Sequence, residues 1–567
     1  MKRFKIILER GFSSGTLLWV LPFLLIVPNV ALDITEFSSP VVKAANILLP
    51  LGLYLFMMSL SRKSGRTGIF MFPFFFFAAF QIVLLFLYGE SIIAVDMYLN
   101  MVTTSAGEVT ELLGNLGLAI MTVIILYLCP LIWAAILWSR DALASTADVR
   151  SARRTGLWIL ALGIITMALC WGFVPRFNPL RDIFPANVVN NLCTAVKRTD
   201  RTMHYFETSA GFDYDARSSR PRDLREIYVL VIGETSRADH WALDGYSRPT
   251  NPKLSRRCNT VFFPKAVSES NTTHKSVPLA LSHLTPENFG DSIYYTKSLV
   301  SAFNGAGFRT AWLSNQGRNR SFIDFFAREA QVVDFIKDDG RHHYDHELIQ
   351  PLKDFIDASP SDKIFVVLHT YGSHFNYTER YTSHYSRFVP DSRTAASRDN
   401  LPQLINAYDN TILYTDATLD AVIGLLDSYD CPSAMLYFSD HGEDIFDDPR
   451  NRFLHSSPVP TFYQIHVPML LWVSNELDAA YPDLLGSARA HRDLDISSSG
   501  SIFDTMQDIA GISGPFSDHT KSIVSPAFRP ALHRVYLNDY NEGVSIRSCG
   551  LRDYDLTKFQ DAEISCD

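Results

Sequence analysis

Cysteine is scarce and unclustered in this 567-residue chain: there are seven, with no Cys-x-x-Cys pair. Neither a zinc knuckle nor a disulfide framework can therefore organise it. Positive charge is not in excess either, and a formal net charge of −9 gives no basis for a nucleic-acid partner. Charges are few in the first part of the chain, to about Val174, which is apolar. After it the sequence turns polar and rich in Asp, His and Arg. That second part is long enough for a soluble domain with a full core.

Five stretches are long and apolar enough to span a bilayer, roughly Gly15 to Ile34, Ala44 to Leu60, Gly68 to Tyr88, Leu116 to Trp138 and Thr155 to Val174. The second is the shortest. The first lacks a small-residue cleavage site and is followed by further spans, so it is expected to stay rather than be cleaved. Lys2, Arg3, Lys5 and Arg10 precede the first span; Arg62, Lys63 and Arg66 follow the second; Arg140, Arg150, Arg153 and Arg154 follow the fourth. The loop from Gly89 to Asn115 is acidic instead. All three basic clusters thus fall on one side, which the positive-inside bias makes cytoplasmic. An odd number of spans then sends everything after Val174 to the other side. Residues 176–226, with an amphipathic piece from Val188 to Val196, are expected to bridge the halves near the membrane surface. The division read from the sequence is 1–175, 176–226 and 227–567.

In the second half, Ile227 to Ile232 is a continuous β-rich run and reads as a buried parallel strand. It ends in Gly233-Glu234-Thr235, a carboxylate just past a strand. Ser433 to Phe438 is a second such run and ends in Ser439-Asp440-His441-Gly442-Glu443. Strand C-terminal edges are where ligands bind in open α/β sheets, and carboxylate and imidazole are ordinary zinc ligands. Thr310 to Ser314, Ile364 to Leu368 and Val467 to Trp472 are further strands, the second leading into His369-Thr370-Tyr371-Gly372-Ser373-His374. A helix is expected from Ala407 to Leu426, its polar residues solvated or capping. His455 lies in a loop, where a histidine ordinarily faces solvent. Between the first strands a hydroxyl-rich segment, Ser268 to Ser276, runs into an apolar helix. Thr272 or Thr273 falls at the helix N-terminus, where unpaired N–H groups favour an anion. A threonine N-cap is the plain explanation. The sharper one is a nucleophile, since a hydroxyl beside a metal can be deprotonated and attack phosphorus. Strands alternating with helices give an α/β domain with a mainly parallel sheet.

Taken in order, Gly-Glu-Thr, the threonine pair before Ser-Val-Pro, His-Thr-Tyr-Gly-Ser-His, Tyr-Asp-Asn-Thr-Ile-Leu-Tyr-Thr-Asp, Ser-Asp-His-Gly-Glu and the later Leu-His strongly resemble the phosphoethanolamine transferases of Gram-negative bacteria. These are sulfatase-like members of the alkaline phosphatase superfamily that modify lipid A or the lipopolysaccharide core. The resemblance covers the whole chain. It implies five spans and a periplasmic alkaline phosphatase/sulfatase-like domain of an inner-membrane protein, its N-terminus cytoplasmic. It implies a catalytic zinc ion held by Glu234, the nucleophilic threonine, Asp440 and His441. His374 and His455 would lie in the outer part of the site and handle the phosphoryl group, a second zinc ion or a proton, while His369 is structural. The implied reaction moves phosphoethanolamine from phosphatidylethanolamine to a lipopolysaccharide sugar or phosphate, or to another periplasmic glycan, through a threonine intermediate. A phosphoglycerol transferase or phosphodiesterase of the same superfamily is the alternative. A true sulfatase is not, because the C/S-x-P-S-R run that becomes formylglycine is missing. A monomer is expected.

The chain departs from the lipid A enzymes around the nucleophile. They have Cys-Gly-Thr and Pro-Cys where this chain has Ser270-Asn271-Thr272 and Pro278-Leu279. Counting back rigidly from Ser276-Val277-Pro278 places Asn271, which cannot be a nucleophile, at the family's threonine. The shorter spacing of the wider superfamily favours Thr273, with Thr272 left open. Of the five cysteines after the spans, Cys549 and Cys566 lie close enough to suggest a local bridge.

Overall fold

The structure is a computed structural model and describes residues 13–36, 38–88, 92–103, 117–175, 177–359 and 361–566. It divides into two compact units, one of Met1–Leu99, Gly107–Lys197 and Arg450–Arg452, the other of Asn100–Ala106, Arg198–Pro449 and Phe453–Asp567.

Among the described residues of the first unit, four helices are long and apolar enough to cross a membrane: Ser14–Thr35, Pro40–Met58, Gly117–Ser139 and Thr146–Phe173. The third expected span is two helices, Ser64–Phe70 and Phe72–Phe86, bent by 58°, and counting the pair as one makes five. Pro73 explains the bend. It has no N–H for a helical bond, and its ring crowds the preceding turn. The acidic stretch after this pair falls partly outside the described residues, and Val95–Thr103 within it is helical.

Two spans meet through glycine. A Cβ on Gly156 would stand 2.8 Å from Phe56 N, and one on Gly163 2.8 Å from Leu49 N, so Thr146–Phe173 lies directly on the backbone of Pro40–Met58. At one end of the bundle Arg62 Nε donates to Ala144 O at 3.0 Å, Lys63 pairs with Asp141 at 2.5 Å and Arg153 donates to Ser59 O at 2.7 Å. The second and third basic clusters therefore sit together. The first lies outside the described residues.

The second unit is built on a seven-stranded sheet. Its strands are β1 (Glu226–Gly233), β2 (Thr260–Phe262), β3 (Arg309–Ser314), β4 (Val332–Phe335), β5 (Lys363–His369), β6 (Ser433–Ser439) and β7 (Met469–Val473), in the spatial order β2-β7-β6-β1-β5-β3-β4. The five strands expected from apolar runs are all present. The two short edge strands, β2 and β4, were not legible. β6, β1, β5, β3 and β4 run parallel, while β7 is antiparallel to both β6 and β2. Every residue of β1, β5 and β6 is buried, as expected of strands covered on both faces. Tyr228, Leu230, Ile232, Phe365, Val367, Leu436 and Phe438 point at period two into one core.

The register places the site. Gly233 of β1 pairs with Ser439 of β6, and Ile232 pairs with His369 of β5. Three neighbouring strands thus end side by side, and Glu234 and Asp440, the residues after β1 and β6, enter the same crevice. Two helices complete it, α1 (Thr273–Ala280) and α2 (Leu401–Asp427). The polar residues of α2 are not solvated. Asp409, Asn410 and Thr411 are buried, because this face packs on the loops after β1 and β5. Thr411 Oγ1 donates to Ser373 Oγ at 2.7 Å, and Tyr408 Oη donates to Thr235 O at 2.8 Å. The Cys549–Cys566 bridge is not formed. Cys549 Sγ donates to Ile546 O at 2.9 Å, and both cysteines pack against a separate apolar cluster around Phe462 and Phe559.

Candidate metal centre

Glu234, Asp440 and His441 offer ligand atoms that all lie within 4.8 Å of one another, and all three residues are buried. His441 Nε2 stands 3.4 Å from Glu234 Oε1 and 3.3 Å from Asp440 Oδ2. Thr273, the first residue of α1, brings Oγ1 to 3.1 Å from His441 Nε2 and 3.3 Å from each Glu234 oxygen. One hydroxyl, two carboxylates and one imidazole therefore converge on a single point.

Each member is held by its own loop. Thr235 takes a left-handed backbone with φ of 58°, which turns its N–H to Asp440 Oδ1 at 3.1 Å, and its hydroxyl donates to Glu234 Oε1 at 2.8 Å. His441 N donates to the same Asp440 oxygen at 2.7 Å. Asp440 Oδ2 keeps no hydrogen-bond partner although it is buried. The His441 ring is set by Nδ1, 2.9 Å from Gly442 O, which leaves Nε2 as the lone-pair nitrogen facing the cluster. The loop after β5 closes on Glu234 from behind: Ser373 N donates to Glu234 O at 2.9 Å. Gly372 is required there, since a Cβ would stand 2.5 Å from Glu234 O.

Burial pushes Glu234 up to about 8, with Asp440 adding to the shift, and pushes Asp440 up to about 7. Burial likewise pushes His441 down to about 4, with His455 adding to it. Each shift disfavours charge, the result expected of two carboxylates taken out of water together. A divalent cation sharing those oxygens reverses that logic. A partnerless buried carboxylate oxygen, a second carboxylate, a correctly presented imidazole nitrogen and a hydroxyl fit a zinc ion.

The structure separates the two threonines. Thr273 is in the cluster. Thr272 is the N-cap residue, and its hydroxyl lies 3.3 Å from Ser270 Oγ instead. Asn271 is a structural tie, donating to Ser457 O at 2.8 Å and Gln464 Oε1 at 2.6 Å and accepting from Tyr536 Oη at 2.7 Å.

His455 and His374 form an outer tier. The His455 ring is 4.2 Å from that of His441, and the His374 ring is 6.2 Å from that of His455. Burial pushes His455 down to about 4 and His374 well below the usual histidine range. His369 stays behind the sheet edge, 3.4 Å from Ser314 Oγ and packed on Trp312.

Two participants were not legible in the sequence. Gln316, after β3, donates to Thr370 O at 2.9 Å and reaches Glu234 Oε2 at 3.4 Å. It follows a strand end as Glu234 and Asp440 do, which is the signal that could have found it. Glu443, buried and pushed up to about 8 by burial, accepts from Tyr377 Oη and faces His455 Nδ1 at 3.6 Å. It stands in the Ser439-to-Glu443 run, and nothing in that run names its partner.

Fold and ligand set together define a sulfatase-like α/β domain with a half-buried threonine hydroxyl in a metal-type site. A family model described as Sulfatase matches residues 226–512, half of the chain, and the chain belongs to that family. It is 31% identical over 319 residues to the phosphoethanolamine transferase EptA of Salmonella typhimurium, covering 54% of this chain and 57% of that one. The chain spans about half the length of the curated relatives it matches. The zinc complex of the C-terminal periplasmic domain of EptC from Escherichia coli is 25% identical with a TM-score of 0.53, covering 59% of this chain and 95% of that one. The integral membrane protein EptA of Neisseria meningitidis shares the fold over 91% of this chain and 99% of that one, with a TM-score of 0.72 and 21% identity.

Proposed function

We propose that this chain is a zinc-dependent phosphoethanolamine transferase of a bacterial inner membrane. The donor is phosphatidylethanolamine. The acceptor is a hydroxyl or phosphate of lipopolysaccharide, either lipid A or a core sugar, or of another periplasmic glycan. The observation that carries this reading is the placement of Thr273 Oγ1, 3.1 to 3.3 Å from His441 Nε2 and both Glu234 oxygens, at the start of a helix. Relatives named phosphoethanolamine transferases and a solved relative in complex with zinc support it. The N-terminus would be cytoplasmic, and the catalytic domain, residues 227–567, periplasmic.

Glu234, Thr273, Asp440 and His441 would hold the zinc ion, which supplies Lewis acidity to the threonine hydroxyl and to the phosphoryl oxygens. In the first half-reaction Thr273 Oγ1 bonds to phosphorus, and the bond from phosphorus to the diacylglycerol oxygen breaks. The threonine proton leaves with diacylglycerol. In the second half an acceptor oxygen bonds to phosphorus, the bond from phosphorus to Thr273 Oγ1 breaks, and Thr273 recovers its proton as the acceptor loses one. His374 is pinned through Nδ1, 2.6 Å from Phe375 O, which leaves its Nε2 to face the phosphoryl group. His455, neutral through burial, can take the acceptor's proton at Nε2.

The test uses the purified full-length protein with phosphatidylethanolamine and lipopolysaccharide, the products read by mass spectrometry. Gain of phosphoethanolamine on the acceptor, with release of diacylglycerol, is expected. Transfer of phosphoglycerol, or release of phosphoethanolamine to water alone, overturns the reading.

A further inference from the structure

A second polar cluster lies in the membrane unit. Asn29 and Asp33 stand one turn apart near the end of Ser14–Thr35, and Asn46 lies opposite on Pro40–Met58. Asn46 bridges the pair: its Oδ1 accepts from Asn29 Nδ2 at 3.1 Å, and its Nδ2 donates to Asp33 Oδ1 at 2.9 Å. Asn29 Nδ2 also donates to Asn46 O at 2.7 Å and Phe184 O at 2.9 Å. Two carbonyls fix which way that amide points. Its oxygen therefore faces away from them. Asn29 is fully buried, and Asn29 Oδ1 and Asp33 Oδ2 both remain buried acceptors without a partner.

Two acceptors without a donor, one of them charged, are costly at this depth in a membrane protein. An ammonium group is a donor of the kind that both lack. Lys43 supplies the complementary sign: its Nζ donates to Asp33 O and has N–H groups left for an anion. Asn29 lies six residues before Thr35, about 9 Å of helix, at the end of the bundle opposite the basic loops. That depth is close to the headgroup level.

We propose that Asn29, Asp33, Asn46 and Lys43 form a binding site for a zwitterionic lipid headgroup that carries a primary ammonium. Asn29 Oδ1 and Asp33 Oδ2 take the ammonium, and Lys43 takes the phosphate. The choice of lipid rests on the proposed function, because this headgroup is the donor's. A trimethylated headgroup offers no N–H and a glycerol headgroup no positive charge, so both bind more weakly.

The test reconstitutes the full-length Thr273→Ala protein, which cannot consume donor, in bilayers of dioleoyl phosphatidylglycerol. Small equal fractions of the phosphatidylethanolamine and phosphatidylcholine analogues are added, and retained lipids are counted by native mass spectrometry. At least fivefold enrichment of phosphatidylethanolamine over phosphatidylcholine is expected, falling to near parity in Asp33→Asn with the melting temperature kept. Equal retention of the two lipids overturns the site, leaving a structural water only. So does undiminished enrichment in a folded Asp33→Asn. If that variant does not fold, Lys43→Met takes its place with the same expected fall, and undiminished enrichment in it overturns the site. Enrichment together with no threonine adduct on the unsubstituted protein supports the headgroup site and sinks the catalytic reading separately.

Discussion

The two units bury polar groups in different proportions. In the membrane unit they are few and mostly tie helix to helix, as Ser14 does to Ser64 at 2.6 Å and Arg62 to the carbonyl of Ala144, with Asn29 Oδ1 and Asp33 Oδ2 the pair left open near one end. In the sheet unit they are many, and at one edge they are left incompletely satisfied, with Asp440 Oδ2, Glu443 Oε2 and His455 Nδ1 all lacking partners. Incomplete satisfaction at a buried site is what a ligand or a metal resolves. The contrast teaches where to look for chemistry. Buried polar atoms that close on one another hold a fold, and those that converge without closing hold something else.

The sharpest way to break that contrast is at the converging edge. Asp440→Asn removes a charged oxygen while keeping the shape, and should lower transfer roughly 1,000-fold and abolish bound zinc, measured by elemental analysis beside an activity assay. Wild-type zinc content in that variant would mean the edge is ordinary packing. At the closed end of the scale, Gly156→Leu should destabilise the membrane unit by roughly 2–3 kcal/mol, since the new side chain meets the backbone at Phe56. Thermal unfolding in detergent reads it, and an unchanged midpoint would show that the two spans do not meet there. Gln316→Leu sharpens the comparison at the border between the two behaviours. Its amide supports Glu234 from outside, so zinc affinity should fall about tenfold with little change in stability. A competition titration with a zinc chelator measures this.

The smallest effect concerns pH. Burial pushes Glu269 up to about 7, the Ser499 hydroxyl partly opposing it. A carboxyl raised on folding binds its proton more tightly in the native state. Its contribution is complete below the unfolded value near 4.5 and is lost as pH rises through about 7. Glu269→Gln should therefore flatten the stability profile between those values by on the order of 1 kcal/mol, read by denaturant unfolding across the range. An identical slope in both proteins would rule out the assignment.

Much of this was legible because two codes are simple. Apolar runs announced the spans, and β-rich runs announced the five main strands. Acidic and histidine residues just past those strands announced the edge where they meet. What the runs hide is direction and partnership. Pro73 bends the third span by 58°, which hydropathy does not register. The choice between Thr272 and Thr273 depends on which side of the first helical turn faces the crevice, a matter of about 100° per residue. Asp409, Asn410 and Thr411 read as solvated because nothing local says that α2 packs on two loops far away in sequence. Glu443 was missed for the same reason, whereas Gln316 had a local signal in its place just past β3. The Cys549–Cys566 suggestion rested on separation along the chain alone, and the Cys549 thiol bonds the Ile546 carbonyl instead.

The central claim is that Thr273 is the group that carries phosphoethanolamine. Tandem mass spectrometry of the protein after brief exposure to phosphatidylethanolamine tests it most directly, comparing wild type with Thr273→Ala and Thr272→Ala. The account predicts a phosphoethanolamine adduct on Thr273 in wild type and in Thr272→Ala, and none in Thr273→Ala. An adduct that survives in Thr273→Ala, or that maps to any other residue, contradicts it.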